Sequence, residues 1–236
     1  MPFLERSMAG MIGQGSHGRS VRFFGTTATR HRLLRLYSYV LDHDFGFAPN
    51  PFYGICTLAT CKPKIRATAG VGDYIVGTGC AKHRRRGYIV YFMRVEEISD
   101  YDCYWDDPRF QRKKPTLRGS KMQEFGDNIY HRHQRTREWL QANSLHSLDD
   151  GSPNMRNVVH DTQCTKVLIS RDYAYWGGTG PLILEEFRNF NGFDVCGGRG
   201  HKSRFPQELI AGFVAWLRGL GAQGFVGEPL DWVRTG

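Results

Sequence analysis

Outside one segment, this chain of 236 residues shows no sustained helical periodicity, and that constrains its fold more than any other feature. The exception is "PQELIAGFVAWLRGLG", residues 206–221. It sets Leu209, Ile210, Phe213, Val214 and Leu217 on one face, with Pro206 near the first turn and glycine at the end. Elsewhere apolar residues come in short runs between turn formers. "LLRLYSYVLDHDFGF" reads as a first strand entering a loop at Asp42-His43-Asp44. "GDYIVGTGC" reads as a strand with a Gly72-Asp73 turn before it and a Gly77-Thr78-Gly79 turn after it. "GYIVYFMRVEEI" is a longer strand, which makes residues 82–87 a basic hairpin connection, and residues 166–170 form a further strand. "SDYDCYWDDPRF" reads as a loop turning at Asp107-Pro108, and residues 130–141 as a second helix. Short strands with few helices predict an α+β fold around a small mixed β-barrel with flanking helices.

Residues 1–30 are rich in Gly, Ser, Thr and Arg, with Glu5 their only acid. A transit peptide has that composition, and so does a flexible basic tail or a stretch ahead of the true start codon. The expectation is a tail, with residues 31–236 forming a single domain. No run of about eighteen apolar residues occurs, so no membrane span is expected. Cys56, Cys61, Cys80, Cys103, Cys164 and Cys196 contain no CxxC pair. They point to a reduced, cytoplasmic protein. Cys56 and Cys61 are spaced C-x4-C, but no second Cys/His pair completes a zinc site, so both read as packing thiols. Neither a metal nor a cofactor is expected.

Lysine and arginine total 32 against 23 acids, a net charge of +9. The cations cluster at Lys82–Arg86, at Arg109–Lys121, at Arg132–Arg137 and at Arg199–Arg204. Such an excess favours nucleic acid or a nucleotide as partner, DNA ahead of RNA, with an anionic membrane behind and not expected. Solvated faces are the alternative reading of every cluster.

Three segments could carry chemistry. "GFAPNPFYGICTLATCKPKIR", residues 46–66, lacks the G-x4-G-K-[ST] of a phosphate loop. It reads as a proline-braced loop presenting Asn50, Thr57, Lys62 and Arg66 to phosphate or base edges, or as a structural turn. "EFGDNIYHRHQ" gathers Asp127, Asn128, Tyr130, His131 and His133, the mixture a base pocket wants. His131 and His133 are not at i, i+4, which disfavours a helical metal pair. "DVCGGRGHKSRF" makes a flexible turn at Gly197, Gly198 and Gly200, whose backbone amides beside Arg199, His201 and Lys202 could form an anion nest, or is an ordinary glycine turn before a helix. Trp105 and Trp176, with nearby tyrosines, either line a base cage or pack the core.

Taken in order, "GFAPNPF", "CTLATCKPKIR", "GDYIVGTG", "GDNIYH", "VLISRDYAYWGG" and "GRGHK" resemble a bacterial family, the nucleotide modification associated domain of the second type, from about Tyr39 to Lys202. The resemblance implies a part in systems that make, read or attack modified DNA bases, often in conflict with phage, without implying a reaction. Residues 72–110 are similar to the PUA-like, EVE-type readers in their Gly-Asp turn, two strands and Asp-Pro loop, which implies a small barrel with a modified-base pocket.

The leading expectation is a protein that recognises a modified or extruded base. Lys62, Arg66, Lys113, Lys114 and Arg199 would meet phosphates, Trp105 and Tyr130 would stack, and Asn50, Asp127 and Asn128 would read the base edge. The rival is an enzyme of glycosylase or hydrolase type. Asp127 or Asp44 would activate water or stabilise positive charge on the sugar, while His131 or His201 donates a proton. A third reading is a sensor of a nucleotide signal anchored on the nest.

Overall fold

The computed structural model describes residues 32–232, so the tail expected over residues 1–30 lies outside the described residues. The chain enters through β1 (Leu36–Leu41), β2 (Cys56–Leu58) and α1 (Pro63–Thr68). It continues through β3 (Tyr74–Gly79), β4 (Ile89–Arg94), β5 (Glu97–Asp100), α2 (Tyr101–Asp106) and α3 (Lys121–Glu124). A hairpin of β6 (Tyr130–Arg132) and β7 (Trp139–Gln141) precedes α4 (Met155–Asp161). Then follow β8 (Lys166–Ser170), β9 (Tyr173–Tyr175), α5 (Glu185–Arg188), β10 (His201–Lys202), α6 (Gln207–Gly219) and β11 (Gly224–Phe225).

The main sheet has six strands in the order β10-β1-β3-β4-β9-β11. Its central strands β1, β3 and β4 are buried on both faces, which explains why they read as nearly continuous apolar runs. Alternate residues serve different cores, as a period of two dictates. Leu36, Tyr74, Val76 and Phe92 meet Leu209, Ile210, Phe213 and Leu217 of α6. Tyr37, Tyr39, Ile75, Tyr91 and Met93 face the other way, onto Cys56, Leu58, Ile65 and Leu168. A third core lies beneath α2, the β6–β7 hairpin and α4, centred on Tyr101, Phe110, Ile129 and Val158.

The fold is α+β as expected, but none of the sheets formed by the described residues closes into a barrel. The main sheet ends in two-residue strands, β10 and β11. The parallel pairing of β1 with β3 requires a crossover, and residues 42–73 provide it. That crossover carries β2, which joins β8 and β5 in a separate three-stranded sheet covering one face.

Three local expectations are corrected. Residues 130–141 form a hairpin, with Tyr130 opposite Gln141 and Arg132 opposite Trp139. Residues 101–106 form α2 because Asp100 caps it, its carboxylate accepting the Cys103 N–H at 2.9 Å, and because Tyr101 and Tyr104 turn one buried face inward. Gly77-Thr78-Gly79 belongs to β3 and is not a turn beyond it. A Cβ on Gly77 would come within 2.3 Å of Leu41 and 2.5 Å of Tyr91, so glycine is what permits the close approach.

Candidate active site

The chain turns sharply after β2. Cys61 and Lys62 both adopt left-handed backbone, with φ of 54° and 43°, immediately before Pro63 opens α1. Each such residue costs about 1–3 kcal/mol and persists only where its surroundings hold it. Arg66 supplies much of that hold. Its fully buried guanidinium donates to the carbonyl of Cys61 at 2.9 Å, of Asp161 at 2.6 Å, of Cys164 at 2.6 Å and of Lys166 at 2.8 Å. The Cys61 N–H adds a hydrogen bond to Asp161 Oδ1 at 2.8 Å. The turn leaves the thiol half-buried in the wall of a cavity of about 470 Å³, shared with Tyr39, Asp44, Phe47, Lys62 and His146.

His146 arrives on the loop between β7 and α4 and packs on Phe47, with ring centres 4.7 Å apart. Its Nε2 lies 3.5 Å from Cys61 Sγ, and its Nδ1 lies 3.0 Å from Asp161 Oδ2. Asp161, the last residue of α4, is completely buried and also accepts the Tyr130 hydroxyl at 3.0 Å and His160 Nδ1 at 3.1 Å. Thiol, Nε2, Nδ1 and carboxylate therefore follow one another in the order that defines a nucleophile, its base and the group that orients the base.

The electrostatics agree with that order. Burial pushes the Asp161 carboxyl up, but the hydrogen bond and charge of His146, then Arg66 and His160, outweigh it and hold the group below its ordinary value. Burial likewise opposes charge on His146, yet its hydrogen bonds to Asp161 and Cys61 prevail and lift it to about 9. An imidazolium beside a thiol is the partner a thiolate nucleophile requires.

The donor atoms of Cys61, His146 and Asp161 all lie within 4.8 Å of one another, close enough to suggest a metal. A chelating histidine offers one nitrogen to an ion shared with its neighbours. Here the two ring nitrogens are divided, one toward sulfur and one toward the carboxylate, which is the arrangement of a proton relay.

Of the residues singled out from sequence, Lys62 and Asp44 reach this cavity. Asp44 is buried in its wall, where desolvation raises its carboxyl against hydrogen bonds from Tyr175 and the Leu230 N–H. Tyr130 stands behind the site, its hydroxyl on Asp161 and its ring against Tyr101. Arg66 faces carbonyls and no open surface. Lys113, Asn50 and Asp127 form an interior cluster. Lys113 Nζ donates to Asn50 O at 3.0 Å and Oδ1 at 2.5 Å, while Asp127 accepts from Thr57 and Tyr104, both at 2.7 Å. Asn128 is buried beside them, donating to the carbonyls of Tyr104 and Phe110. Trp105 and His131 meet elsewhere, at a second cavity, and Lys114 Nζ lies over the Trp105 ring. His201 and Lys202 sit on β10, where Lys202 Nζ is engaged by the Asp194 and Cys196 carbonyls, and Arg199 is exposed nearby.

Cys61, His146 and Asp161 were not recognised from sequence as one site. The sequence pairs Cys61 only with Cys56, and its histidine lies 85 positions away with no linear motif joining them. No curated protein and no solved structure matches the chain. Residues 33–236, which contain the whole relay, match the family of the nucleotide modification associated domain 2. The ordered motifs of the sequence agree with that match, and the chain belongs to the nucleotide modification associated domain 2 family.

Proposed function

We propose that the chain is a cysteine-nucleophile enzyme that removes, or passes on, an acyl group carried by a modified nucleotide base. The observation that carries this reading is the unbroken relay from Cys61 through His146 to Asp161 at a cavity wall. At about 470 Å³ the cavity is in the range of small-ligand sites and admits a base with its substituent. Family membership supplies the nucleotide context.

In this mechanism His146 Nε2 takes the thiol proton, and Cys61 Sγ adds to the carbonyl carbon of an amide or ester on the base. The intermediate collapses as His146 returns the proton to the departing amine or alcohol, leaving a thioester on Cys61. Water, deprotonated by the same nitrogen, then releases the carboxylic acid and restores the thiol. Asp161 keeps Nδ1–H in place and stabilises the imidazolium. Lys62, whose Nζ rests 4.6 Å from the centre of the Tyr39 ring, is suited to a nucleotide phosphate, and the buried Tyr39 and Phe47 form an apolar floor beneath the base. Recognition of the modified base is thus the binding half of the reaction. Asp127 is engaged by Thr57 and Tyr104 in the interior, which favours Cys61 over Asp127 as the reacting group.

The test is incubation with DNA and nucleosides bearing amide- or ester-linked base substituents, following the released acid by mass spectrometry. Cys61→Ala and His146→Ala should each lower turnover by about 10³-fold or more, and hydroxylamine should capture the thioester. Turnover that survives both substitutions overturns the reading.

A further inference from the structure

Successive residues of a strand point to opposite faces, so β6 turns Tyr130 toward Asp161 and His131 the other way. On that other face lies a second cavity, of about 450 Å³. The rings of His131 and Trp105 stack there, with centres 3.8 Å apart and 14° between planes, and Lys114 Nζ lies 3.8 Å from the Trp105 centre. Burial first, and Lys114 next, push the His131 imidazole below its ordinary value, so its face is uncharged at neutral pH. Its Nδ1 is buried without a hydrogen-bond partner among the described residues.

The remaining wall is cationic. Arg132 rests on the Trp139 ring at 4.5 Å, and Arg137 pairs with Asp102 at 3.0 Å. Arg135 makes no hydrogen bond or ion pair among the described residues. Asp102 and Asp106 also line the cavity beside the three arginines, and Lys114 lies outside its wall, over the Trp105 ring.

Flat ring faces set among cations, along an open groove, match the two things a single strand exposes: unpaired bases and a line of phosphates. In a duplex the base faces are already stacked, and these rings would have nothing to cover. We propose that this second cavity docks single-stranded nucleic acid, with Arg132, Arg135 and Arg137 on phosphates and a base on Trp105 in place of the Lys114 ammonium. The substrate of Cys61 is then a strand and not a free nucleotide, a clause that rests on the reaction proposed above.

The test is fluorescence anisotropy of labelled single-stranded DNA and RNA dodecamers against Cys61→Ser protein over a salt series, so that binding is read without turnover. Combined Arg132→Gln, Arg135→Gln and Arg137→Gln should weaken binding at least about tenfold and flatten the salt slope by about 0.7 per lost contact. Trp105→Ala should weaken it by roughly fivefold or more. Arg135→Glu, at an exposed side chain, keeps the test valid if the triple variant does not fold. Strand affinity no better than that of a mononucleotide, a preference for duplex, or binding unchanged in these variants overturns the proposal. Tight strand binding by a wild-type protein that releases no acid would overturn the catalytic reading and leave this one standing.

Discussion

The hydroxyl of Tyr130 and the imidazole of His146 meet the same oxygen, Asp161 Oδ2, each at 3.0 Å. One carboxylate oxygen thus receives both the imidazole that faces Cys61 and a buried tyrosine that does not touch the cavity. Tyr130→Phe removes a hydrogen bond to a buried charge, of the kind that contributes about 1.5–3 kcal/mol. Turnover should fall by about tenfold. The acid limb of its pH profile should move up, because the carboxylate loses a stabilising donor. An unchanged profile with only lower stability would reduce Tyr130 to packing.

Asp161→Asn keeps the shape of the site and removes its negative charge. Turnover should fall by about 10²–10⁴-fold while the Cys61→Ala background binds nucleotide as before. Alkylation of Cys61 by iodoacetamide should slow in the same variant, measured by intact mass against time at pH 6 to 9, because the imidazolium loses its counter-charge.

Stability should depend on pH through the same pair. His146 is raised to about 9 from an unfolded value near 6.5, so its contribution is complete below about pH 6.5 and is lost as pH rises through about 9. Asp161 is lowered, so its contribution is present above about pH 4 and is lost as pH falls through its folded value. Urea midpoints should decline on both sides of this window. The upper decline, at most about 3 kcal/mol, should flatten in His146→Gln. A midpoint in that variant as steep as wild type between pH 7 and 9 would contradict the assignment.

Asp127→Asn separates the interior cluster from catalysis. The substitution leaves Lys113 without its nearest counter-charge, in a site where burial already pulls the ammonium down to about 8. Stability should drop by about 2–4 kcal/mol, read by denaturant melts, with turnover per folded molecule within about twofold of wild type. A hundredfold loss of turnover in folded protein would instead restore Asp127 as a reacting group.

How far the sequence could be read depended on what each residue needed from its neighbours. The apolar runs that became β3, β4 and β8, and the 3.6-residue period of α6, carry their own instructions, and those elements formed where expected, with β3 running on through Gly77-Thr78-Gly79. The segment 130–141 mixes charges and aromatics in a pattern either helix or hairpin accepts, and contacts such as Arg132 over Trp139 decide for the hairpin. Lys62 and Asp44, both named from the sequence, line the cavity, Lys62 on the turn before α1 and Asp44 buried just beyond β1. Arg66 and Lys113 read as surface cations because a sequence shows charge but not the carbonyls that will satisfy it. The cluster of Cys61 with His146 and Asp161 was invisible because only the tertiary fold brings the histidine and the acid to the thiol.

Arg66→Lys should cost about 3–5 kcal/mol, since an ammonium cannot reach four carbonyls from one position. Thermal melts should show a fall of about 10 °C. A fall of a degree or two would mean that the turn at Cys61 is held by other contacts.

The guanidinium of Arg66 joins the carbonyl of Cys61 to that of Asp161 through one rigid plane, so the two ends of the relay are carried on a common frame. Four residues, and not three, therefore set the geometry of the site. A relative that keeps the cysteine, histidine and aspartate but exchanges the arginine retains the spelling of the site without its geometry. In sorting working copies of this domain from idle ones, or in grafting the relay onto another scaffold, the arginine is the position to check first.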